Sequence, residues 1–159
     1  MKTLNLIKRD PYLRPYQSAI EGRYNYFQYV EKTLAGSGKL KDFANGYMYF
    51  GLHSDVDRWI MREWAPNATA IYMIGDFNGW QKSEDYRLQP IDNGCWEGIF
   101  PKTAMQHGQL FKLLVEWYGG AGERIPSYAT RVVQDEQTKI FSAQVWEPKC
   151  AYKWKVKRF

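Results

Sequence analysis

The apolar positions change period near residue 50. Before it, Leu13, Tyr16, Gln17 and Ile20, then Tyr24, Phe27, Val30 and Leu34, recur every third or fourth residue. That is the spacing of one face of an amphipathic helix. Asp10-Pro11 supplies a start signal: Asp as N-cap, and Pro, which has no N–H to leave unpaired, in the first turn. Gly22 divides this pattern into two pieces, and Gly36-Ser37-Gly38 ends it. Leu40, Phe43, Ala44 and Tyr47 then mark one more short helix. Stripes of this length make no core of their own and are expected to dock on a neighbour.

Past Gly51 the apolar runs shorten and alternate. Strands are predicted near Trp59–Trp64, Ala70–Ile74, Cys95–Phe100, Leu110–Trp117, Arg131–Val133 and Ile140–Trp146. Turn residues separate them at Pro66-Asn67, Asn78-Gly79, Asp92-Asn93-Gly94 and His107-Gly108, and Gly119-Gly120-Ala121-Gly122 reads as a loop. Within Leu110–Trp117 the parity is clear. Phe111, Leu113, Val115 and Trp117 point one way, and Leu110, Lys112, Leu114 and Glu116 the other. The expected fold is mainly β, an immunoglobulin-like β-sandwich over residues 51–159 preceded by a short α-helical segment over residues 1–50.

Composition adds one unusual feature. Of 159 residues, 17% are aromatic, including seven Trp and twelve Tyr. That is more than a core of this size needs, and rings are also the platforms that receive sugars. The net charge of +5 is spread out. The basic residues from Lys153 to Arg158 alternate with Tyr152, Trp154 and Val156, which reads as a strand or extended linker rather than a nucleic-acid-binding arm. Cys95 and Cys150 are too few and too distant for a metal motif. No metal, cofactor, nucleic-acid or membrane role is expected. With no signal-like apolar run, the chain is read as cytoplasmic. His53 and His107 have no catalytic companion in sequence, and Trp59, Trp64, Trp96 and Trp146 are expected in the core.

Several strings together resemble one family. Arg62-Glu63-Trp64-Ala65-Pro66 is followed by Gly75-Asp76-Phe77-Asn78-Gly79-Trp80, then Gly94-Cys95-Trp96 and Phe111-Lys112. This order resembles the glycogen-binding-type carbohydrate-binding module that precedes the catalytic barrel of α-glucan branching enzymes. The β subunit of AMP-activated protein kinase carries a related module. Asp10-Pro11-Tyr12-Leu13, Arg124-Ile125-Pro126 and Trp146-Glu147-Pro148 are similar to the leader and the exit of the eukaryotic-type branching enzymes.

The resemblance implies a parent enzyme that forms α-1,6 branches with two carboxylates about 5 Å apart on a barrel. The chain stops at Phe159, before a barrel of ~250 residues could begin. No catalytic residue is therefore expected here, and the chain alone should be inactive. Its partners would be that barrel and an α-glucan, glycogen or starch. A free-standing glucan-binding regulatory module is the alternative.

The resemblance also implies site residues. Trp80 matches the ring that stacks on glucose, or else it packs on its own sheet. Lys112 matches the lysine that bonds sugar hydroxyls, or else it is an ordinary exposed lysine. Asn78 supports the turn or touches sugar. The relatives' second stacking Trp has no counterpart in Gly119–Glu123, where Tyr118 is the available substitute. With one platform in place of two, weak binding is expected.

Overall fold

The computed structural model describes residues 4–150 together with Lys153 and Lys155. The extended segment expected over 152–158 lies largely outside the described residues. The chain forms two compact units that divide between Gly46 and Tyr47.

The first unit is helical. Helix α1 (Asn5–Arg9) leads to a 3₁₀ stretch, Pro11–Tyr16, then α2 (Gln17–Ala35) and α3 (Leu40–Phe43). Asp10 caps as its sequence position suggests, its Oδ1 accepting from the Tyr12 N–H at 3.0 Å. Gly22 does not interrupt α2, because a single glycine in a long helix costs only about 1 kcal/mol relative to alanine. Among the described residues no helix is long and apolar enough to cross a membrane.

The second unit is a sandwich of nine strands: β1 (Gly51–Ser54), β2 (Arg58–Trp64), β3 (Ala68–Gly75), β4 (Arg87–Pro90), β5 (Cys95–Pro101), β6 (Leu110–Trp117), β7 (Gly120–Arg124), β8 (Val132–Gln134) and β9 (Phe141–Gln144). All pairings are antiparallel. One layer runs β1-β2-β5. The other places β6 between β3 and an edge shared by β7 and β9, with β8 beyond β9. Strand β4 joins the layers. Its first half pairs with β3 and its second half with β5.

Three strands escaped the sequence pattern. β1 and β4 are only four residues long. β7 is Gly120-Ala121-Gly122-Glu123-Arg124, where a loop was expected. Its glycines carry no hydrophobic signal, yet they let the Trp117 ring lie across the strand. A Cβ on Gly120 or Gly122 would sit 3.1–3.2 Å from that ring. Trp117 is therefore half-buried on the inward side of β6, covering β7 rather than filling the core.

The core forms where inward parity meets across the layers. Trp59, Met61, Ile71, Met73, Leu113 and Phe111 are essentially sealed from solvent. Glu63 shares the inward parity of β2 and is 7% exposed. Its Oε1 accepts from the Trp64 N–H (3.1 Å) and its Oε2 from the Ser127 N–H (2.9 Å), so it ties β2 to the 125–130 segment. The segment after β9 is held by Glu147, which accepts from Lys102 Nζ (2.6 Å) and the Ser54 hydroxyl. The Glu147 N–H donates to His107 Nδ1 (2.9 Å). The Lys102 and Ser54 bonds hold the Glu147 carboxyl below its ordinary value of 4.5.

Two outcomes follow. Glu63→Gln sets an amide N–H against one of the two backbone N–H groups, and should lower unfolding free energy by about 1–3 kcal/mol in denaturant titrations. Glu147 gains stability from a depressed pKa, so its contribution is full above 4.5 and is lost as pH falls through the lower folded value. The pair is partly exposed and worth at most about 1 kcal/mol. The melting-temperature gap between the native chain and Glu147→Gln should be open at neutral pH and close as the pH falls through the depressed folded value.

Candidate functional site

β3 ends in a tight turn whose geometry is over-determined. Gly75 closes on the start of β6, where an added Cβ would lie 2.3 Å from the Leu110 carbonyl oxygen. Both ends of the Asn78 amide are committed: Oδ1 accepts from the Gly75 N–H (3.0 Å), and Nδ2 donates to the Met73 carbonyl (3.0 Å). Asn78 thus acts as the turn's brace. Asp76 accepts from the Leu110 N–H (2.7 Å) through Oδ2 and from Trp80 Nε1 (2.9 Å) through Oδ1. Phe77 stacks on Tyr86 at 4.7 Å, and Tyr86 on Phe100 at 5.6 Å, anchoring the turn to the core.

Trp80 sits half-buried at φ 61°. A left-handed backbone costs a bulky residue roughly 1–2 kcal/mol. The Trp80 N–H bond to the Gly75 carbonyl (2.8 Å) and the Asp76 contact hold it there. Such strain persists because the surrounding bonds over-determine the turn.

Lys112 pairs with Ile74 across β3–β6 and projects from the outer face of that layer. Its Nζ donates to Glu123 Oε2 at 2.8 Å, leaving the side chain 15% exposed. The neighbouring charges are likewise spent. Lys82 lies 4.4 Å over the Tyr72 ring and pairs with Glu116, which raises the lysine above its ordinary 10.5. Glu84 is lowered by bonds from Arg87 and the Tyr72 hydroxyl.

Tyr118 is 98% exposed in the β6–β7 turn. It stands six residues along the chain from Lys112, ~20 Å in extended strand. The structure therefore gathers Trp80, Asn78 and Lys112 at one end of β3–β6 and sets Tyr118 at the other.

The sequence reading misplaced Trp64. It was expected in the core and is 59% exposed. Parity carried the signal: Trp59, Met61 and Glu63 face inward, so Ile60, Arg62 and Trp64 face out. Trp64 Nε1 donates to the Asn93 carbonyl (3.0 Å), and the Ala65 N–H to the Gly94 carbonyl (2.9 Å). The ring's edge is fixed and its face is open. Among the described tryptophans, Trp59 and Trp96 are buried and Trp80, Trp117 and Trp146 half-buried. Trp146, also expected in the core, packs between His107 (4.7 Å) and Arg131 (4.1 Å) beside the exit segment. Ala68 follows Trp64 closely and Trp80 follows Gly75, so the two tryptophans attach near opposite ends of β3, a strand of roughly 23 Å.

The family model for carbohydrate-binding module 48 (isoamylase N-terminal domain) matches residues 49–135. The 1,4-alpha-glucan-branching enzyme of Dictyostelium discoideum is 33% identical over 96% of this chain and 23% of its own length. That of Yarrowia lipolytica is 33% identical over 98% and 24%. The chain thus spans about a quarter of the length of these curated relatives. Among solved structures, type I pullulanase from Bacillus subtilis complexed with maltose shares the fold, with TM-score 0.52 and 16% identity over 69% of this chain and 15% of that chain.

Asn78→Ala removes both braces of the turn. It should destabilise the sandwich by about 1–3 kcal/mol in chemical denaturation, since two partly buried backbone groups lose their partner.

Proposed function

This chain belongs to the carbohydrate-binding module 48 family, and from that premise we propose that it is the non-catalytic N-terminal portion of a 1,4-alpha-glucan branching enzyme. In this reading it supports the catalytic barrel and binds α-glucan weakly, in the cytoplasm, with glycogen or starch as the polymer. The likeness to branching enzymes runs through the helical leader as well as the sandwich, which favours this over a free-standing regulatory module.

The observation that carries glucan binding is the Trp64 ring, exposed over 59% of its surface and fixed at its edge. The C–H faces of a pyranose are apolar and pack on such a ring, while its hydroxyls stay in water or reach polar neighbours. Trp80, its ring edge held by Asp76, is a second contact at the far end of β3. Lys112 reaches sugar only by leaving Glu123. Single rings set far apart grip a short glucan weakly, because each must offset the ordering of the chain on its own.

The carboxylates support a non-catalytic role. Glycosyl transfer with retention needs two carboxyl groups about 5 Å apart across a shared cleft, one of them able to give up a proton. Here Glu97 is bound by Arg62 (2.7 Å), Glu123 by Lys112 and Glu147 by Lys102, while Glu63 and Asp76 are occupied by backbone N–H groups.

Titration with maltoheptaose, followed by tryptophan fluorescence, tests the reading. The folded chain should give a saturable response that Trp64→Ala weakens by about tenfold, the value of one stacked ring. Trp80→Ala should weaken it less. A response untouched by Trp64→Ala would remove the platform assignment. No response from the folded native chain would sink glucan binding and leave a purely supporting role.

A further inference from the structure

A cleft of about 590 Å³ opens beside β1, framed by Tyr47, Met48 and His53 on one side and by Ser127, Tyr128 and Thr130 on the other. This is the size of a site for a small organic ligand. Its aromatic wall is built before any ligand arrives. Tyr128 stacks on Phe50 at 5.6 Å with the planes 20° apart, and Phe50 meets Tyr49 edge-on at 5.1 Å. The Arg62 guanidinium caps Tyr49 at 4.4 Å. Behind the wall, Gly51 at φ 90° passes so close to Tyr128 that a Cβ there would lie 2.2 Å from its carbonyl oxygen. The Ser127 N–H is pinned by Glu63. Tyr128 nonetheless remains 45% exposed and Tyr47 65% exposed, so both rings are available to a ligand.

The polar groups in the cleft are all of one kind. His53 Nε2 lies 2.8 Å from the Phe50 carbonyl. A carbonyl only accepts, so Nε2 carries the proton, and Nδ1 is the ring nitrogen left for a ligand. Ser127, Thr130 and the tyrosines add hydroxyls, which both donate and accept. Among the described residues, no Lys, Arg, Asp or Glu lines the cleft. An anionic or cationic ligand would therefore lose its hydration without gaining a counter-charge. A neutral ring with an apolar face and a rim of hydroxyls meets every group present.

We propose that this cleft is a second α-glucan subsite, in which a glucosyl unit stacks on Tyr128 and Tyr47 and bonds to His53 Nδ1, Ser127 and Thr130. The proposal rests on the glucan-binding reading above and adds a location to it. The placement favours one continuous chain as the ligand. His53 pairs with Ile60, and Ile60, Arg62 and Trp64 share the outer face of β2. Four residues separate Ile60 from Trp64, or ~13 Å of strand. A glucan long enough to touch both places gains the second contact intramolecularly, and a shorter one does not.

Amide chemical shifts of the ¹⁵N-labelled chain, titrated with maltotriose and with maltoheptaose, test this. Two sets of signals are expected to move saturably with maltoheptaose: Tyr47, His53, Ser127 and Tyr128, and separately Trp64 with Asn93. Maltotriose should bind both sets more weakly. Tyr47→Ala, a change at an exposed ring outside the core cluster, should weaken the maltoheptaose response about fivefold at the cleft and, because one chain bridges both places, lower it at Trp64 as well, while the maltotriose response at Trp64 stays unchanged. If Trp64 and Asn93 saturate while the cleft signals stay still, the subsite is wrong and glucan binding stands. If the cleft responds equally in Tyr47→Ala, the stacking assignment is wrong. If neither set moves, both readings fall together.

Discussion

The antiparallel pairing of β3 with β6 is the interaction that most of this sandwich is built around. Its register sets Met73 against Leu113 and Ile71 against Val115 on the inside, and Ile74 against Lys112 and Tyr72 against Leu114 on the outside. A slip of β6 by one residue would turn Leu113, fully buried, toward the outer face and bring Lys112 into the core. The same register brings Gly75 against Phe111. That lets Asp76 reach the Leu110 N–H and fixes the turn that carries Trp80. Core, turn and candidate ring are thus consequences of one alignment. On its other side β3 hands over to β4, which passes the hydrogen-bond ladder to β5 and closes the second layer over the same core.

Charge on the outer face of the β3–β6 layer is neutralised locally. Lys112, Lys82 and Arg87 each meet a carboxylate. A sugar carries no charge with which to compete for them, so a neutral ligand gains little by displacing these pairs. In the proposed reading, recognition of such a ligand falls instead to exposed rings held in place by their neighbours. Trp64, on the outer face of β2, is held by a hydrogen bond at its edge. Tyr128, beside β1, is instead held by stacking on Phe50.

The glycine-rich stretch shows how one segment can look featureless in sequence and still be determined in space. Gly120 and Gly122 have no side chains to mark a strand, but Trp117 needs a flat surface to cover, and only glycine offers one at that distance. The Trp117 ring is used here to close the end of the sandwich, with Arg124 5.6 Å from its centre. Tyr118 is left free, but at the far end of β6 from Trp80.

The sequence by itself determined the helical leader, the strand over Leu110–Trp117 to the residue, the inward and outward faces of that strand, and a resemblance specific enough to name a family. These are local quantities. Periodicity fixes which side a residue takes, and turn residues fix where a run must end. It did not determine which aromatic ring meets solvent. Parity along β2 sets Trp59 and Trp64 on opposite faces, but only the packing of one layer on the other decides that the Trp59 face is buried and leaves Trp64 59% exposed. Nor did it reveal the cleft at Tyr47 and Tyr128, whose walls are about eighty residues apart in the chain. They meet because Glu63 is buried with no partner nearby in sequence except its neighbour's N–H, and must find its second donor at Ser127. Burial creates that demand for a hydrogen bond, and burial exists only once the chain has folded.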